Sequence, residues 1–375
     1  MSFPSDSTSV RLATCDCLTP FGNAAATVAA LLRGERALQP VPVRGREGGD
    51  AVPLALLPGR DLDETAPPAW LEPVRTLLSP VNDRGWGRPR RPVFVTSSNF
   101  GIGSLYAYRR NGDAAHLPHG SISRCVGWLR RELGWGESVT VFSHACVSAH
   151  LGLLQASRFL RAGLADEALV FSFDFLSPFV AGGFHALKIL NLDFPAPYQA
   201  RATGSIGLGD GAAFAVLVRS AGRRNGDFIL EEQSLYNEMH HVTANRPDGA
   251  GFAACLALVA ATARGRRLWL KGHGTGTLEA GRLESEAFAR TFPGAPLVGW
   301  KGSLGHTLGS CGLVELALAV EAVRTGRTPG VVGSGPTTFT GAVALESFAN
   351  RSYEAVVCAT NAFGGAHAAF LLSHA

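Results

Sequence analysis

The stretch of sequence from 139 to 173 constrains the fold more than any other part of the chain. Two short runs in it, VTVF at 139–142 and ALVFSF at 168–173, are apolar and rich in Val and Phe, as buried strands are. Between them, apolar residues recur at helical spacing over residues 147–160. Because two strands joined through a helix usually lie parallel in one sheet, this stretch predicts an α/β fold.

The second part of the chain repeats this order of elements. Residues 267–271 and 297–300 are strand-like, and each is followed by a glycine-rich turn and a helical run. The repetition, which rests on element order alone, predicts an internally duplicated core. Residues 35–91 are rich in Pro, Gly and Arg and predict a long surface excursion with one helix near 69–78. The remaining predictions are helices over 24–33, 282–291 and 313–325 and strands over 10–14, 92–96, 212–218, 355–359 and 368–372.

Composition excludes several classes of protein. The chain has 375 residues, of which 46% are hydrophobic and 17% are charged, so it can bury a large core. A net charge of +4 without a dense Lys/Arg stripe does not indicate nucleic-acid binding, although it suits an acidic protein partner. The seven cysteines lack a CxxC pair, which argues against a disulfide framework or a zinc site. Without a signal-like N-terminus or a membrane-length apolar run, a cytoplasmic protein is expected.

Cys146 lies at the junction of the predicted strand 139–142 and the following helix. The N-terminus of a helix has unpaired N–H groups and a partial positive charge, and both are expected to lower the pKa of a thiol there. A thiolate at this position would be a nucleophile. The alternative is a buried cysteine used as a small apolar side chain, and position alone leaves these two interpretations equal.

The segment KGHGTGTLEAGRLESE at 271–286 joins a strand to a helix through three glycines. Such a turn can imitate a dinucleotide-binding fingerprint. Here Glu279, Glu284 and Glu286 crowd the start of the helix and would repel a pyrophosphate, which argues against nucleotide binding. His273 instead stands at the end of a strand, where a parallel sheet presents its functional groups.

Two further turns carry polar or glycine-rich sequences. KGSLGHTLGSCGLVE at 301–315 offers Lys301, His306 and Glu315 around one loop, for which the alternative is a simple ion-pair cluster. NAFGGAH at 361–367 contains two successive glycines that permit close backbone approach, for which the alternative is a tight turn between strands. Neither turn decides a function alone.

The order of these motifs resembles that of the β-ketoacyl synthases, the ketosynthases of fatty-acid and polyketide assembly. SHACVSAHLGLLQA around Cys146, HGTGT at 273–277, KGSLGH at 301–306 and FGG at 363–365 follow one another as they do in that family. The segments LTPFGNAAATVAALLRGERAL at 18–38 and SIGLGDGAAFAVLV at 205–218 are also similar to the family. The resemblance implies a thiolase-like α/β fold, an internally duplicated five-layer αβαβα. Its nucleophile half would span residues 1–220, and its two-histidine half would span residues 221–375.

The resemblance also implies a role for each matching residue. Cys146 would carry an acyl group delivered on the phosphopantetheine of an acyl carrier protein, and His273 and His306 would promote decarboxylation of a malonyl thioester. Lys301 and Glu315 would orient and tune the histidines, while Glu284 and Asp210 match further acidic positions. The backbone N–H groups of Cys146 and Asn361 would form the oxyanion hole. Neither a metal nor an organic cofactor is expected, and the protein is expected to form a homodimer or a heterodimer with another ketosynthase-like subunit.

The sequence departs from the family pattern at several positions. Asn361 stands where Phe usually gates the acyl pocket, next to Phe363, and His367 stands where Asn is common. Gly281 and His144 are also unusual, and the chain is shorter than expected. Three functions therefore remain open: an active β-ketoacyl synthase, a non-catalytic partner of the chain-length-factor type, and an acyltransferase that works without decarboxylation.

Overall fold

The computed structural model describes residues 9–45, 48–220, 224–339 and 341–374. Residues 1–8, on which the expectation of no leader sequence partly rests, lie outside this range. The described residues contain the strands β1 (Ser9–Leu18), β2 (Gln39–Gly45), β3 (Gly48–Ala55), β4 (Val93–Thr96), β5 (Val139–Phe142), β6 (Glu167–Asp174), β7 (Leu208–Gly209), β8 (Gly211–Ser220), β9 (Phe228–Asn237), β10 (Leu268–Lys271), β11 (Leu297–Val298), β12 (Arg327–Thr328), β13 (Phe348–Ala349), β14 (Ala355–Ala362) and β15 (Ala366–His374). They also contain the helices α1 (Ala24–Leu32), α2 (Leu71–Leu78), α3 (Ile102–Asn111), α4 (Ile122–Leu133), α5 (Ser148–Arg161), α6 (Pro178–Ala186), α7 (Ala250–Ala263), α8 (Leu278–Thr291), α9 (Lys301–Leu304) and α10 (Cys311–Thr325).

Ten strands form one mixed sheet in the order β11-β10-β14-β15-β9-β1-β8-β6-β4-β5. The antiparallel pair β1 and β9 lies at its centre. Outwards from that pair, the first half has the strands β1, β8, β6, β4 and β5, and the second half has β9, β15, β14, β10 and β11. When the five strands of each half are numbered along the chain, both series have the order first, fifth, fourth, second and third. In each half the second strand pairs in parallel with two neighbours, β4 with β5 and β6, and β10 with β11 and β14. The strand order is thus duplicated, while the domain boundary at residue 220 stays a prediction.

Helices α5 and α10 pack against each other between the two halves of the sheet. Helices α2 and α4 cover the outer face of the first half, and α7 and α8 cover that of the second half. Helices cover both faces because successive side chains of a strand point to opposite faces of the sheet. In β6, Val170 belongs to the central hydrophobic core, whereas Leu169 and Phe171 belong to the core under the outer helices. These five layers, αβαβα, are the predicted fold class. Within the described residues, no helix is long and apolar enough to cross a membrane.

The expectation of a surface excursion over residues 35–91 is wrong for its first part. Strands β2 and β3 form an antiparallel hairpin, and β3 pairs in parallel with β7. Val43, Val52 and Leu54 are buried there, packed with Val180 of α6 and its neighbours. The prolines misled the prediction because they break helices yet are tolerated in edge strands such as β2. The helix near 69–78 is present as α2.

Candidate active site

Cys146 lies in the turn between β5 and α5, two residues before the first helical residue. Ala145 adopts a φ of 45°, in the left-handed region that residues other than glycine rarely occupy. The turn is fixed by Ser148, whose hydroxyl accepts from the His144 N–H at 2.7 Å and donates to the Ala145 carbonyl at 2.7 Å. Of the seven free cysteines, only Cys146 is not fully buried. A strained turn that exposes one thiol is typical of a functional site.

His306 lies in the loop after α9, with its Nε2 atom 3.0 Å from Cys146 Sγ. Its Nδ1 atom accepts a hydrogen bond from the Leu308 N–H at 3.1 Å. A neutral imidazole with an accepting Nδ1 must carry its hydrogen on Nε2. That hydrogen therefore points at the sulfur atom.

His273 follows β10 and completes the group. Its ring meets the ring of His306 edge to face, with the centroids 4.9 Å apart. Ligating atoms of Cys146, His273 and His306 all lie within 4.8 Å of one another. The three residues that the motifs single out thus meet at one place, although they come from three separate turns.

Burial controls the protonation of all three groups. It lowers the pKa of His273 and of His306 well below the usual value, and the ammonium of Lys301 lowers both pKa values further. Both imidazoles are therefore neutral hydrogen-bond donors near neutral pH. Burial raises the pKa of the Cys146 thiol, the neighbouring Cys311 raises it further, and Lys301 opposes this. The expectation of a lowered thiol pKa is wrong, because desolvation of the thiolate outweighs the effect of the helix terminus.

A buried ion cluster lies behind the histidines. Lys301 Nζ donates to the His273 carbonyl at 2.8 Å and to Glu315 Oε1 at 2.5 Å. Glu315 Oε2 contacts the ammonium of Lys271, a residue that the sequence analysis did not single out. The signal was present, since only Gly272 separates Lys271 from the HGTGT turn. Burial lowers the pKa of Lys271, and Glu315 opposes this shift.

The two acidic residues that match further family positions, Glu284 and Asp210, accept hydrogen bonds from backbone N–H groups. Glu284 of α8 accepts from the N–H groups of His273 and Gly274, which fixes the turn after β10. Asp210 accepts from the Leu57 and Leu176 N–H groups at 2.9 and 2.7 Å. Both carboxylates therefore hold chain segments together, and neither lines the cavity at Cys146.

A cavity of about 270 Å³ opens over Cys146 and both histidines. Asn361, in β14, and Phe363, in the turn that follows, also line it. Asn361 is buried, whereas Phe363 is partly exposed and stacks on Phe184 of α6 with the ring centroids 5.9 Å apart. A larger depression of about 760 Å³ near Tyr353 contains none of these residues. The structure therefore brings the predicted nucleophile, histidines and gate residues together, while their catalytic roles stay predictions.

The side chains of Cys146, His273 and His306 are also of a kind that can bind a metal ion. Among the described residues, Cys146, His273 and His306 are the one group of three side chains found to be close enough to hold a metal ion. Thiolate and imidazole are ligands that zinc accepts. The expectation of no metal therefore stays a prediction.

Comparison with known proteins relates part of the sequence to β-ketoacyl synthases. Residues 229–334 match the family model described as "Beta-ketoacyl synthase, C-terminal domain". The tetracenomycin polyketide synthase ketoacyl synthase alpha subunit of Streptomyces glaucescens is 32% identical over 229 residues, which are 56% of this chain and 52% of that protein. The chloroplastic 3-oxoacyl-[acyl-carrier-protein] synthase II of Arabidopsis thaliana is 27% identical over 227 residues, 56% of this chain and 42% of that protein. The chain thus spans about half the length of the curated relatives it matches.

The fold is similar to solved ketosynthase structures over its whole length. A ketosynthase in complex with its chain length factor from Xenorhabdus doucetiae superimposes with a TM-score of 0.82, at 21% identity and 100% coverage of both chains. The ishigamide ketosynthase/chain length factor gives a TM-score of 0.80, at 19% identity, over 98% of this chain and 99% of that one. The fold is therefore that of the thiolase-like ketosynthases. In sequence, the chain is similar to the β-ketoacyl synthases over residues 229–334, and 56% of it aligns with the two named synthases.

Proposed function

We propose that this protein is a β-ketoacyl synthase, an acyltransferase of the 3-oxoacyl-carrier-protein synthase type. The observation that carries the proposal is the contact of Cys146 Sγ with His306 Nε2 at 3.0 Å, beside His273 and in one cavity. A thiolate suits this reaction because it attacks a thioester and later leaves from one. In this proposal no metal or organic cofactor takes part, and the substrates arrive on the phosphopantetheine of an acyl carrier protein.

The first half-reaction loads the acyl group. The Cys146 thiolate attacks the carbonyl carbon of the incoming acyl thioester and forms a C–S bond. The phosphopantetheine sulfur leaves with the electron pair of the broken bond and takes up a proton. Backbone N–H groups of Cys146 and Asn361 are the proposed donors to the oxygen that becomes negative, and such donors act most strongly in a desolvated site.

The second half-reaction forms the carbon–carbon bond. A malonyl thioester loses carbon dioxide, and the electrons of the broken bond form an enolate whose oxygen accepts from His273 and His306. The enolate carbon then attacks the acyl thioester on Cys146, so that the C–S bond breaks and the thiolate is restored. Neutral imidazoles suit this step because they donate hydrogen bonds without being protonated themselves. Removing one such donor typically raises the barrier by about 2.7–4 kcal/mol.

A second subunit is part of the proposal. Strand β5 ends the ten-stranded sheet, and its side chains Val139, Val141 and Phe142 are only half-buried. An open, apolar edge strand is a template for pairing with another chain. This supports a homodimer or a heterodimer with a ketosynthase-like subunit. The net charge of +4 supports docking of an acidic acyl carrier protein, and seven free cysteines support a cytoplasmic location.

The test is to incubate the protein with acyl- and malonyl-carrier protein and to follow the mass of the protein and of the products. An acyl adduct on Cys146 together with an elongated product supports the proposal. No adduct, but a stable complex with a separate ketosynthase, would instead identify a chain-length-factor-like subunit. An adduct that passes to an alcohol or amine without release of carbon dioxide would identify the acyltransferase alternative.

Two observations favour the chain-length-factor alternative. Asn361 replaces the residue that usually gates the acyl pocket, and the solved structures with a similar fold include ketosynthase/chain length factor complexes. Against it, the geometry of Cys146, His273 and His306 is intact. A purely structural subunit would have no use for that arrangement.

A further inference from the structure

The imidazole of His306 is oriented by a strained turn. Its Nδ1 atom accepts from the Leu308 N–H at 3.1 Å, so the hydrogen of the neutral ring lies on Nε2. Leu308 itself has a φ of 54°, in the left-handed region that favours glycine. A residue other than glycine keeps such a backbone only where the surrounding structure over-determines it. The groups that hold Leu308 in this conformation therefore also control the direction in which His306 donates.

Both peptide groups next to Leu308 are held by hydrogen bonds. On one side, the Ser310 hydroxyl donates to the Thr307 carbonyl at 2.6 Å. That carbonyl and the Leu308 N–H belong to one planar peptide group, so the same bond directs the N–H. On the other side, the Gly309 N–H donates to the Ser98 hydroxyl at 3.3 Å. Ser98 lies in the loop between β4 and α3, so this second bond ties the turn after His306 to the first half of the sheet.

A buried carboxylate holds Ser98 in turn. Asp174, the last residue of β6, accepts from the Ser98 hydroxyl at 3.2 Å and from the Ser98 N–H at 3.1 Å. It also accepts from the Ser97 hydroxyl at 2.7 Å and from the Asn99 N–H at 2.9 Å. Burial raises the pKa of Asp174 to about 6, so at neutral pH the group is ionised and only accepts. The Ser98 hydroxyl therefore gives its hydrogen to Asp174, which leaves the oxygen to accept from Gly309.

The turn after His306 also packs directly on the end of β6. A Cβ atom added at Gly309 would lie 2.8 Å from Asp174 Oδ2 and 2.6 Å from the Ser98 nitrogen, which is closer than van der Waals contact. The Gly309 carbonyl accepts from the hydroxyl of Ser172, also in β6, at 3.4 Å. Ser172 and Asp174 are two residues apart in one strand and therefore point to the same face. The contact between β6 and the turn is thus built into the fold.

We propose that Asp174 and Ser98 are positioning residues for His306. Through the Gly309 N–H they hold the Leu308 turn, and the turn keeps the hydrogen of the His306 ring on Nε2, where it faces Cys146 and a bound substrate. Asp174 and Ser98 act from behind the site, since neither is among the described residues that line the cavity at Cys146. The inference rests on the proposed function, because it takes His306 as a donor in the condensation step.

The tautomer of His306 can be measured directly by nuclear magnetic resonance of the full-length protein containing ¹⁵N-labelled histidine. The couplings of the two ring nitrogens to the ring C–H groups differ between the neutral tautomers, and the signals of His306 are those that disappear in His306→Ala. The wild-type ring is expected to carry its hydrogen on Nε2. In Ser98→Ala the population of the Nδ1–H tautomer should rise by about 3–10-fold, the effect of one lost hydrogen bond.

The same variant separates the two half-reactions. Ser98→Ala is expected to lower the rate of condensation by about 3–10-fold and to leave the rate of Cys146 acylation unchanged, whereas a merely structural defect would lower both rates alike. Asp174→Asn should change the tautomer in the same direction and by more, because an amide cannot accept all the hydrogen bonds of the carboxylate.

Ser97→Ala is the matched control. The Ser97 hydroxyl binds the same carboxylate but accepts from the Asn99 and Phe100 N–H groups within its own loop, so this variant should keep the wild-type tautomer. Equal tautomer shifts in Ser97→Ala and Ser98→Ala would overturn the inference, as would an unchanged tautomer in Ser98→Ala, which decides alone if Asp174→Asn does not fold. A shifted tautomer in a protein whose wild-type form makes no product would support the positioning and contradict the proposed function. A wild-type ring with its hydrogen on Nδ1 would overturn both.

Discussion

At the level of single residues, the proposed reaction uses one atom to form a covalent bond and other atoms to stabilise charge. The Leu308 N–H holds Nδ1 of His306, which leaves Nε2–H for the sulfur or, after acylation, for the oxygen of a second thioester. One backbone contact thereby decides which way the imidazole donates. In the proposed reaction Cys146 supplies the nucleophile, and His306 and His273 supply hydrogen bonds.

This division predicts different defects for two substitutions. Cys146→Ala is expected to abolish the acyl adduct, because the other six cysteines are buried. His306→Ala is expected to retain the adduct and to lower the rate of condensation by about 10²–10³, the usual cost of one lost donor. Intact-mass measurement of the adduct and a carbon dioxide assay separate the two steps. A His306→Ala protein that elongates normally would show that the assigned role is wrong.

At the level of elements, the site is held by the charge cluster that joins β10, α9 and α10. Glu315 of α10 is shared by Lys271 and Lys301, and the side chains of all three are at most 6% exposed. Breaking such a cluster on one side leaves a buried charge without its partner. The packing of the site therefore depends on one carboxylate.

Glu315→Gln is accordingly expected to lower the free energy of unfolding by about 3–5 kcal/mol. Lys271→Met should lower the free energy of unfolding by less, because the ion pair between Lys301 and Glu315 remains. The double variant should recover part of the loss, since it removes one of the two uncompensated ammonium groups. Denaturant unfolding of all four proteins gives the coupling energy, and additive losses would contradict this account.

The contact between α5 and α10 makes a second prediction at this scale. A Cβ atom added at Gly312, in the first turn of α10, would lie 2.3 Å from Nδ1 of His150 on α5. Gly312→Ala is therefore expected to destabilise the protein by about 1–3 kcal/mol, although Gly→Ala in a helix usually stabilises. Gly127→Ala in α4 meets only a distant side chain and is the control. His150→Ala should rescue the Gly312 variant, and equal stability of both glycine variants would refute the prediction.

The elements also show what the sequence could predict. The sequence predicts the strands before Cys146 and His273, because both are short, largely apolar runs that end at a polar or glycine-rich turn. The sequence does not predict that β8 and β15 run antiparallel to their neighbours, because a strand buried on both faces has the same apolar pattern in either direction. The contact of Glu238, the residue after β9, with His367 of β15 was also not predicted, because it depends on the pairing of β9 with β15 and no local sequence pattern indicates that pairing.

At the level of the whole molecule, three buried imidazoles make stability depend on pH. Burial lowers the pKa of His150 from 6.5 to about 3, and Lys271 and Lys301 add to the effect. The pKa values of His273 and His306 are lowered in the same way. Below pH 6.5 the unfolded chain binds protons that the native protein cannot, so the contribution of these groups to stability is lost as the pH falls.

For His150 this window runs from about pH 6.5 down to about pH 3. Each such group changes the unfolding free energy by up to about 1.4 kcal/mol per pH unit. As the pH falls from 6.5 to 5, the unfolding free energy of His150→Leu should therefore rise by about 2 kcal/mol relative to that of the wild-type protein. Comparing the two proteins cancels the other titrating groups, and a constant difference across this range would contradict the shift.

The proposal as a whole concerns a covalent intermediate, and intact-mass spectrometry of the protein mixed with acyl- and malonyl-carrier protein observes it directly. We expect a mass increase equal to one acyl group, mapped to the peptide containing Cys146, and its disappearance when malonyl-carrier protein is added and a β-ketoacyl product forms. A protein that stays unmodified, alone and with a second ketosynthase-like subunit, would contradict the account.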